Sequence, residues 1–368
     1  MAGTVTPQEV ADLVASILPH LGKMSFEQIA QNLQDYPVMR HWLRKDKIMF
    51  DDGIAVRSNL LAQTGGHAAH VGLMDLDDVN IPDLMDDIQV PWRFAVTKWA
   101  YEFRSDILMN SGESSINNLV KARRVASMID LAAELEGKAW QCPTTTDKTN
   151  PYGVPYWIVF VAGAAGFNGG YPTGPDLVPW TNIGGLNLAE TPNFKNYTAQ
   201  YTNVSKTDLI KLMRTGLRRT GFMSPVTADD LSTPRGNDRR YYINEVTCSA
   251  FEDIGESQNE NLGRDLAPYT AGNGGGSDVM NFGGALSFKK HPLIWIPQLD
   301  DPNTFTAATD PVYQIDHGVF APICLKGNFL RETKPAQSPN QHNVWRSFVD
   351  LAYNFICKNR RRCAVYAK

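Results

Sequence analysis

The sequence predicts an α+β chain with strands on either side, in sequence, of one dominant helix. A two-residue alternation runs through Val90, Trp92, Phe94 and Val96, against Arg93, Ala95, Thr97 and Trp99. A helical stripe then passes through Ile116, Leu119, Val120, Val125, Met128, Ile129, Ala132, Leu135 and Ala139. A second alternation places Trp345, Ser347, Val349, Leu351, Tyr353, Phe355 and Cys357 on one face of a long strand.

Thr6, with Pro7 at the first helical position and Glu9 as capping-box partner, predicts a helix at the N-terminal end. Ser25 and Gln28 repeat the capping signal, and residues 37–47 are a third candidate. Pieces this short are marginal alone, so the expectation is an arm that lies against something. From Ile54 the pattern is that of strands. Pro91 assigns the strand around it an edge or strand-start role, because proline donates no ladder hydrogen bond. Its expected partner is residues 52–62, which leaves about 28 residues between the arms where a hairpin loop normally has two to five. A connection of that length predicts an extended, projecting hairpin.

The dominant helix is expected over residues 113–140, stopped by Pro143, with Lys121, Arg123 and Arg124 on a solvated face. Residues 143–205 are rich in Gly, Pro, Asn and aromatics, which suits short strands and tight turns. Ser205 should cap a helix that carries Leu209, Ile210, Met213 and Leu217 on one face. Strands are expected at 240–248 and 285–297, with a helix at 249–265 between them. After the long strand, residues 359–362 read as a turn and "CAVYA" as the returning strand. No internal repeat is visible.

Composition narrows the function classes. A hydrophobic fraction of 43% and a charged fraction of 20% belong to a folded chain. The net charge of −4 argues against a dedicated nucleic-acid binder working by bulk electrostatics. No apolar run is long enough to span a bilayer, and the N-terminus lacks the basic start and apolar core of a secretory signal. Cys142, Cys248, Cys324, Cys357 and Cys363 form no C-x-x-C pair, so neither a zinc site nor a disulfide framework is expected, and the usage suits a reducing cytoplasm. Asn196 and Asn203 begin glycosylation acceptor triplets that mean nothing without secretion.

Candidate chemistry concentrates in "GLMDLDDVNIPDLMDDIQV". Asp75, Asp77, Asp78, Asp83, Asp86 and Asp87 stand close together, just after His67 and His70. On a helix the two imidazoles would meet, giving a metal-dependent hydrolase a ligand set with Asp75–Asp78. Gly65, Gly66 and Gly72 argue instead for a loop, and the acidic spacing is not that of a calcium loop. Solvated charge, or an intermolecular contact with basic residues such as Lys121, Arg123 and Arg124, is the favoured expectation. Arg360, Arg361 and Arg362 could meet nucleic acid, but three arginines in a turn read first as a surface charge cluster. "GNGGGS" at 272–277 lacks the lysine of a phosphate loop. Serine-hydrolase, zincin and P-loop motifs are all missing, so no catalytic residue, cofactor or metal is assigned.

The order of elements, together with "VPWRFAVTKWAYEFRSDILMNSG", "LVKARRVASMIDLAAELEGKAW", "NPYGVPYWIVF", "GFNGGYPTG", "VSKTDLI" and "DPVYQIDHGVFAPICLKGNFLRE", resembles the tailed-bacteriophage major capsid proteins of the Hong Kong 97-type fold. The resemblance runs from about residue 50 to the end. It implies an N-terminal arm (1–46), an extended β-hairpin loop (47–108), a spine helix with peripheral domain (109–205), an axial domain (206–312) and a return to the peripheral domain (313–368). It implies a structural protein, self-assembling as pentamers and hexamers into an icosahedral shell around double-stranded DNA held by non-specific contact. It also implies a place in the virion after assembly in the host cytoplasm, and separate scaffolding, portal and decoration proteins as partners where they are used. With so short a pre-hairpin segment, a fused scaffold is not expected. An encapsulin-like nanocompartment shell shares the fold and is the alternative. Some members join a loop lysine to a neighbour's asparagine, yet no lysine lies between Lys47 and Lys98, so that cross-link is not expected.

Overall fold

The computed structural model describes residues 37–44, 47–62, 70, 85–103, 113–221, 238–261, 279–282, 285–300 and 309–368. In chain order the first strands are β1 (Met49–Asp51), β2 (Ala55–Leu61), β3 (Met85–Pro91) and β4 (Arg93–Glu102). Helices α1 (Glu113–Ala139) and α2 (Val154–Trp157) follow, then β5 (Tyr197–Gln200), α3 (Leu209–Thr220), β6 (Arg239–Ile243) and α4 (Glu245–Asn261). Next come β7 (Val279–Phe282), β8 (Ala285–Phe288), β9 (His291–Trp295), β10 (Val312–Asp316) and β11 (Phe320–Leu325). The chain closes with β12 (Arg331–Glu332), β13 (Ala336–Ser338), β14 (Gln341–Cys357) and β15 (Ala364–Ala367). The fold class is α+β, as the sequence predicts.

Contacts divide the chain into two compact units. One takes the described residues of Met1–Asp52, Trp92–Lys138 and Ile323–Tyr353; the other takes those of Gly53–Pro91, Ala139–Pro322 and Asn354–Lys368.

In the first unit β4 runs antiparallel to β14 from Val344↔Glu102 to Tyr353↔Arg93. Helix α1 is tied to β4 by Thr97 Oγ1 donating to the Ser127 carbonyl (3.1 Å) and by Arg123 donating to the Ala100 carbonyl (2.9 Å). Its 27 residues make a rod of roughly 40 Å. Among its described side chains Val120, Ser127, Leu131, Leu135, Glu136 and Ala139 are buried. Val125, Met128, Ile129 and Ala132, expected in the stripe, are half-buried. The inward face therefore carries Ser127 and Glu136 beside the expected Val120, Leu135 and Ala139, with Ser127 Oγ donating to the Arg124 carbonyl one turn back. Glu136 accepts the Val38 N–H at 2.8 Å, holding the π-helical turn Val38–Trp42 that stands where a helix over 37–47 was expected. The two earlier helix candidates lie outside the described residues.

The alternation across 90–99 belongs to two strands in different sheets. β3 pairs with β2, from Ala55↔Pro91 to Leu61↔Met85, in a two-stranded sheet. The chain breaks at Trp92, and the inward parity flips there. Ile88 and Val90 are buried, whereas in β4 Arg93, Trp99 and Tyr101 turn inward and Phe94 (68%) and Val96 (57%) stand exposed. Pro91 ends β3 rather than interrupting a longer strand.

In the second unit a seven-stranded sheet has the order β5-β15-β10-β6-β9-β8-β7. The "CAVYA" strand is β15, and it pairs with β10 and, in parallel, with β5; it does not return along β14. Helix α3 buries Leu209, Ile210 and Met213 in a core with Tyr197, Tyr241, Phe251 and Tyr366. Ser205 Oγ accepts the Asp208 N–H (3.2 Å) just before α3, and Arg239 donates to the Leu217 and Thr220 carbonyls at its other end. There the positive guanidinium meets carbonyls that have no intrahelical donor. Helix α4 begins at Glu245, earlier than the expected 249, because Asn244 Oδ1 accepts the Thr247 N–H (3.1 Å) as an N-cap and ends the strand. The strand expected over 285–297 is a hairpin, turned at Lys289 and Lys290, both in the left-handed region (φ 48° and 69°).

Candidate functional site

The hairpin of β2 and β3 is covered unevenly along its length. Its base is anchored: Gln89 N–H donates to the Gly184 carbonyl (2.8 Å), and Asn354 Nδ2 donates to the Pro91 carbonyl (2.7 Å). Asn354 Oδ1 meanwhile accepts the Tyr152 N–H (2.8 Å), so one buried side chain joins the hairpin base to an aromatic cluster of Tyr152, Tyr156, Trp157 and Trp180. Toward the tip this cover ends. Leu61 and Met85 face each other across the ribbon at 55% and 61% exposure. An isolated two-stranded ribbon is marginal in water, and an apolar cross-strand pair left open on it invites cover from elsewhere.

Of the acidic cluster, Asp86 is half-buried and Asp87 exposed on β3, opposite Leu60 and Asn59, with the Asp87 N–H donating to Asp86 Oδ1 (2.9 Å). His70 is exposed. His67, Asp75, Asp77, Asp78 and Asp83 lie outside the described residues, as does the glycine run at 272–277. Among the described residues no group of three or more His, Cys, Asp or Glu side chains is placed to hold a metal ion. No helix among them is long and apolar enough to cross a membrane.

The basic residues of α1 are engaged within the chain. Arg124 grips Glu332 through Nε (3.0 Å) and Nη2 (2.9 Å), and Glu332 also accepts Trp99 Nε1 at 3.2 Å. Arg123 holds the Ala100 carbonyl, and Lys121 is half-buried.

The arginine triplet corrects the expectation of a surface charge cluster. Arg360 is fully buried. Its guanidinium donates to the carbonyls of Trp157 (2.5 Å), Phe194 (2.9 Å) and Gly170 (3.2 Å) and to Asn196 Oδ1 (2.9 Å). Burial lowers its pKa to about 10, which leaves it charged at neutral pH. Arg362 is buried against Asp316 (2.7 Å), which Arg239 also approaches at 3.7 Å. Arg361 stacks over Phe167 at 4.5 Å from the ring centre. A basic triplet that looked like surface is the fastener of an irregular region, because residues 158–196 offer carbonyls that few strand ladders satisfy. Asn196 is equally buried, donating to the Val159 carbonyl and accepting its N–H, so no sugar reaches it.

One basic surface escaped the sequence reading. On α3, Lys211 and Arg218 are exposed opposite the buried Leu209, Met213 and Thr220, with half-buried Arg214 and exposed Arg219 on the two flanks. Spacing by three and four was the available signal.

Two mixed sheets, a long helix and a two-stranded hairpin are the elements of this α+β fold. The chain adopts the Hong Kong 97-type capsid fold and resembles tailed-phage major capsid proteins over nearly its whole length. No protein-family model and no curated protein sequence matches it. Among solved structures it is similar to a chain of the cyanophage A-1(L) capsid asymmetric unit, at 11% identity and a TM-score of 0.57, covering 94% of this chain and 96% of that one. The capsid of a native GTA particle follows at 12% identity and a TM-score of 0.53, with 94% of each chain covered. The holo-SrpI encapsulin complex of Synechococcus elongatus aligns at 11% identity and a TM-score of 0.46, over 96% and 94% of the two chains.

Proposed function

We propose that this chain is the major capsid protein of a tailed bacteriophage, a structural protein that assembles itself into the icosahedral shell around double-stranded DNA. The observation that carries this reading is the fold match with the cyanophage capsid chain, which covers 94% of this chain and 96% of that one. The open hairpin supports it: a ribbon with Leu61 and Met85 uncovered gains its apolar cover from a second copy. In this reading residues 1–46 are the arm, 47–108 the extended loop, 109–205 the spine and peripheral domain, 206–312 the axial domain and 313–368 the peripheral return. A repeated head-to-tail contact closes rings, and rings of five and six subunits close a shell. The virion is its place, and the host cytoplasm its site of assembly.

Expressed alone or with its scaffold, the chain should form closed particles visible by electron microscopy. Boiled in denaturant they should run at the monomer mass, because no lysine lies between Lys47 and Lys98. Persistent monomer at high concentration with scaffold present sinks the reading. Shells isolated from infected cells holding an enzyme instead of DNA favour the encapsulin-like alternative.

We further propose that the hairpin aspartates meet a basic surface of an adjacent copy. Candidates on the neighbour are Lys121, Arg123 and Arg124, with Arg124 entering from an ion pair already made to Glu332. Each exposed pair contributes about 0–1 kcal/mol, but a shell repeats it many times. Replacing Asp75, Asp77 and Asp78 together by Asn should slow assembly most at low salt, where screening is weakest, and leave the unassembled chain's melt unchanged. A chelator should have no comparable effect. Particles that chelation dismantles and calcium or zinc restores would make the cluster a metal site.

A further inference from the structure

The outer face of α3 is a row of cations with no apolar centre. Residues 206–221 hold five basic side chains and one acidic, in a chain whose net charge is −4. The acid, Asp208, is turned back to accept the N–H groups of Thr202 (2.8 Å) and Asn203 (2.9 Å). Lys211, Arg214 and Arg218 follow at intervals of three and four and so share one side of the helix, with Thr215 and Arg219 beside them. Among the described residues Lys211, Arg218 and Arg219 make no salt bridge. The opposite side is locked into the core by Leu209, Ile210, Met213 and Gly216, so the row is held on a rigid rod.

We propose that this face meets the phosphate backbone of double-stranded DNA. The inference rests on the shell reading and deepens it by naming the surface that faces the packaged nucleic acid. The row from Lys211 to Arg218 is roughly 10 Å long, a length over which a duplex presents about six phosphates. A protein partner would find no aromatic or aliphatic anchor there, and interfaces between proteins depend on such anchors. A polyanion needs none, and flexible basic side chains at helical spacing read backbone charge without reading sequence. The overall acidity is no obstacle, because binding follows the local row and not the net charge.

The test compares the full chain with K211Q/R214Q/R218Q/R219Q, using a short blunt DNA duplex over a salt series. The variant should still form particles, bind the duplex at least tenfold more weakly near 0.1 M salt, and flatten the plot of log affinity against log salt by about three to four units, close to 0.9 per lost contact. The singles K211Q and R218Q should each flatten it by about one. Photo-crosslinking of the unmodified chain to iodouracil-substituted duplex guards against a misfolded variant: adducts should map to residues 206–221. An unchanged slope, or adducts that all map elsewhere, overturns the inference. So does a variant that stops forming particles yet binds duplex as before, which would make the face a protein contact. Particles with an unchanged slope leave the shell reading standing, whereas a flattened slope with no particles from either chain keeps the DNA contact and removes the shell.

Discussion

Arg360→Met should lower the unfolding free energy of the unassembled chain by at least about 3 kcal/mol, the scale for removing a buried, fully hydrogen-bonded charge. Methionine fills much of the volume but donates nothing. The carbonyls of Trp157, Phe194 and Gly170 and the Asn196 side chain would lose their shared donor in a site water does not reach. Each stranded acceptor costs about 1–3 kcal/mol, partly relieved by local rearrangement. Arg360→Lys should recover only part of the loss, since an ammonium cannot reproduce a planar fork spread over four acceptors. Arg361→Gln is the control. It removes a stacked cation over Phe167 and one bond to Asn193, and should cost under about 1 kcal/mol. Urea melts followed by tryptophan fluorescence decide the matter; equal midpoints for Arg360→Met and Arg361→Gln would remove the fastener role.

That contrast marks where the sequence was legible. Period-two and helical patterns located β4, α1, α3 and β14 because each has one face against a core, and a buried face leaves a periodic trace. The hairpin was legible for another reason: paired strand patterns stood too far apart for a turn. What escaped depended on partners distant in sequence. Nothing local says that Arg360 is spent on residues 157–196, or that Glu136 is spent on the N–H of Val38. The parity flip at Trp92 is of the same kind, since Phe94 looks like a core residue until α1 packs on the other face of β4, the face that carries Thr97. For the candidate contacts, the acidic hairpin was visible as composition. The cations of α3 were overlooked because the apolar half of the same helix explained its pattern completely.

Gly216→Ala should reverse the usual sign of its class. Within a helix, glycine to alanine normally stabilises by about 1 kcal/mol. Here the added methyl would run into the Tyr366 hydroxyl and crowd Tyr197 at 3.2 Å. The far end of a side chain can often give way, but Tyr366 is fully buried and its hydroxyl donates to Gln314 Oε1 at 3.1 Å. Burial raises the phenol's pKa well above its usual value, so it keeps that proton. Gln314 is held in turn by donating to Thr220 Oγ1 (2.8 Å), whose own proton goes to the Gly216 carbonyl (2.8 Å). The network thus closes on the residue being changed, and overpacking it should cost about 1–3 kcal/mol or more. Tyr366→Phe supplies the check. By itself it strands one acceptor lone pair on Gln314, for about 1 kcal/mol, with Tyr241 still bonded to the same oxygen at 3.4 Å. Combined with Gly216→Ala it opens room for the methyl, so the double variant should be more stable than Gly216→Ala alone. Costs that simply add would mean the hydroxyl is not what the methyl meets, and the close approach of α3 to β15 would need another cause.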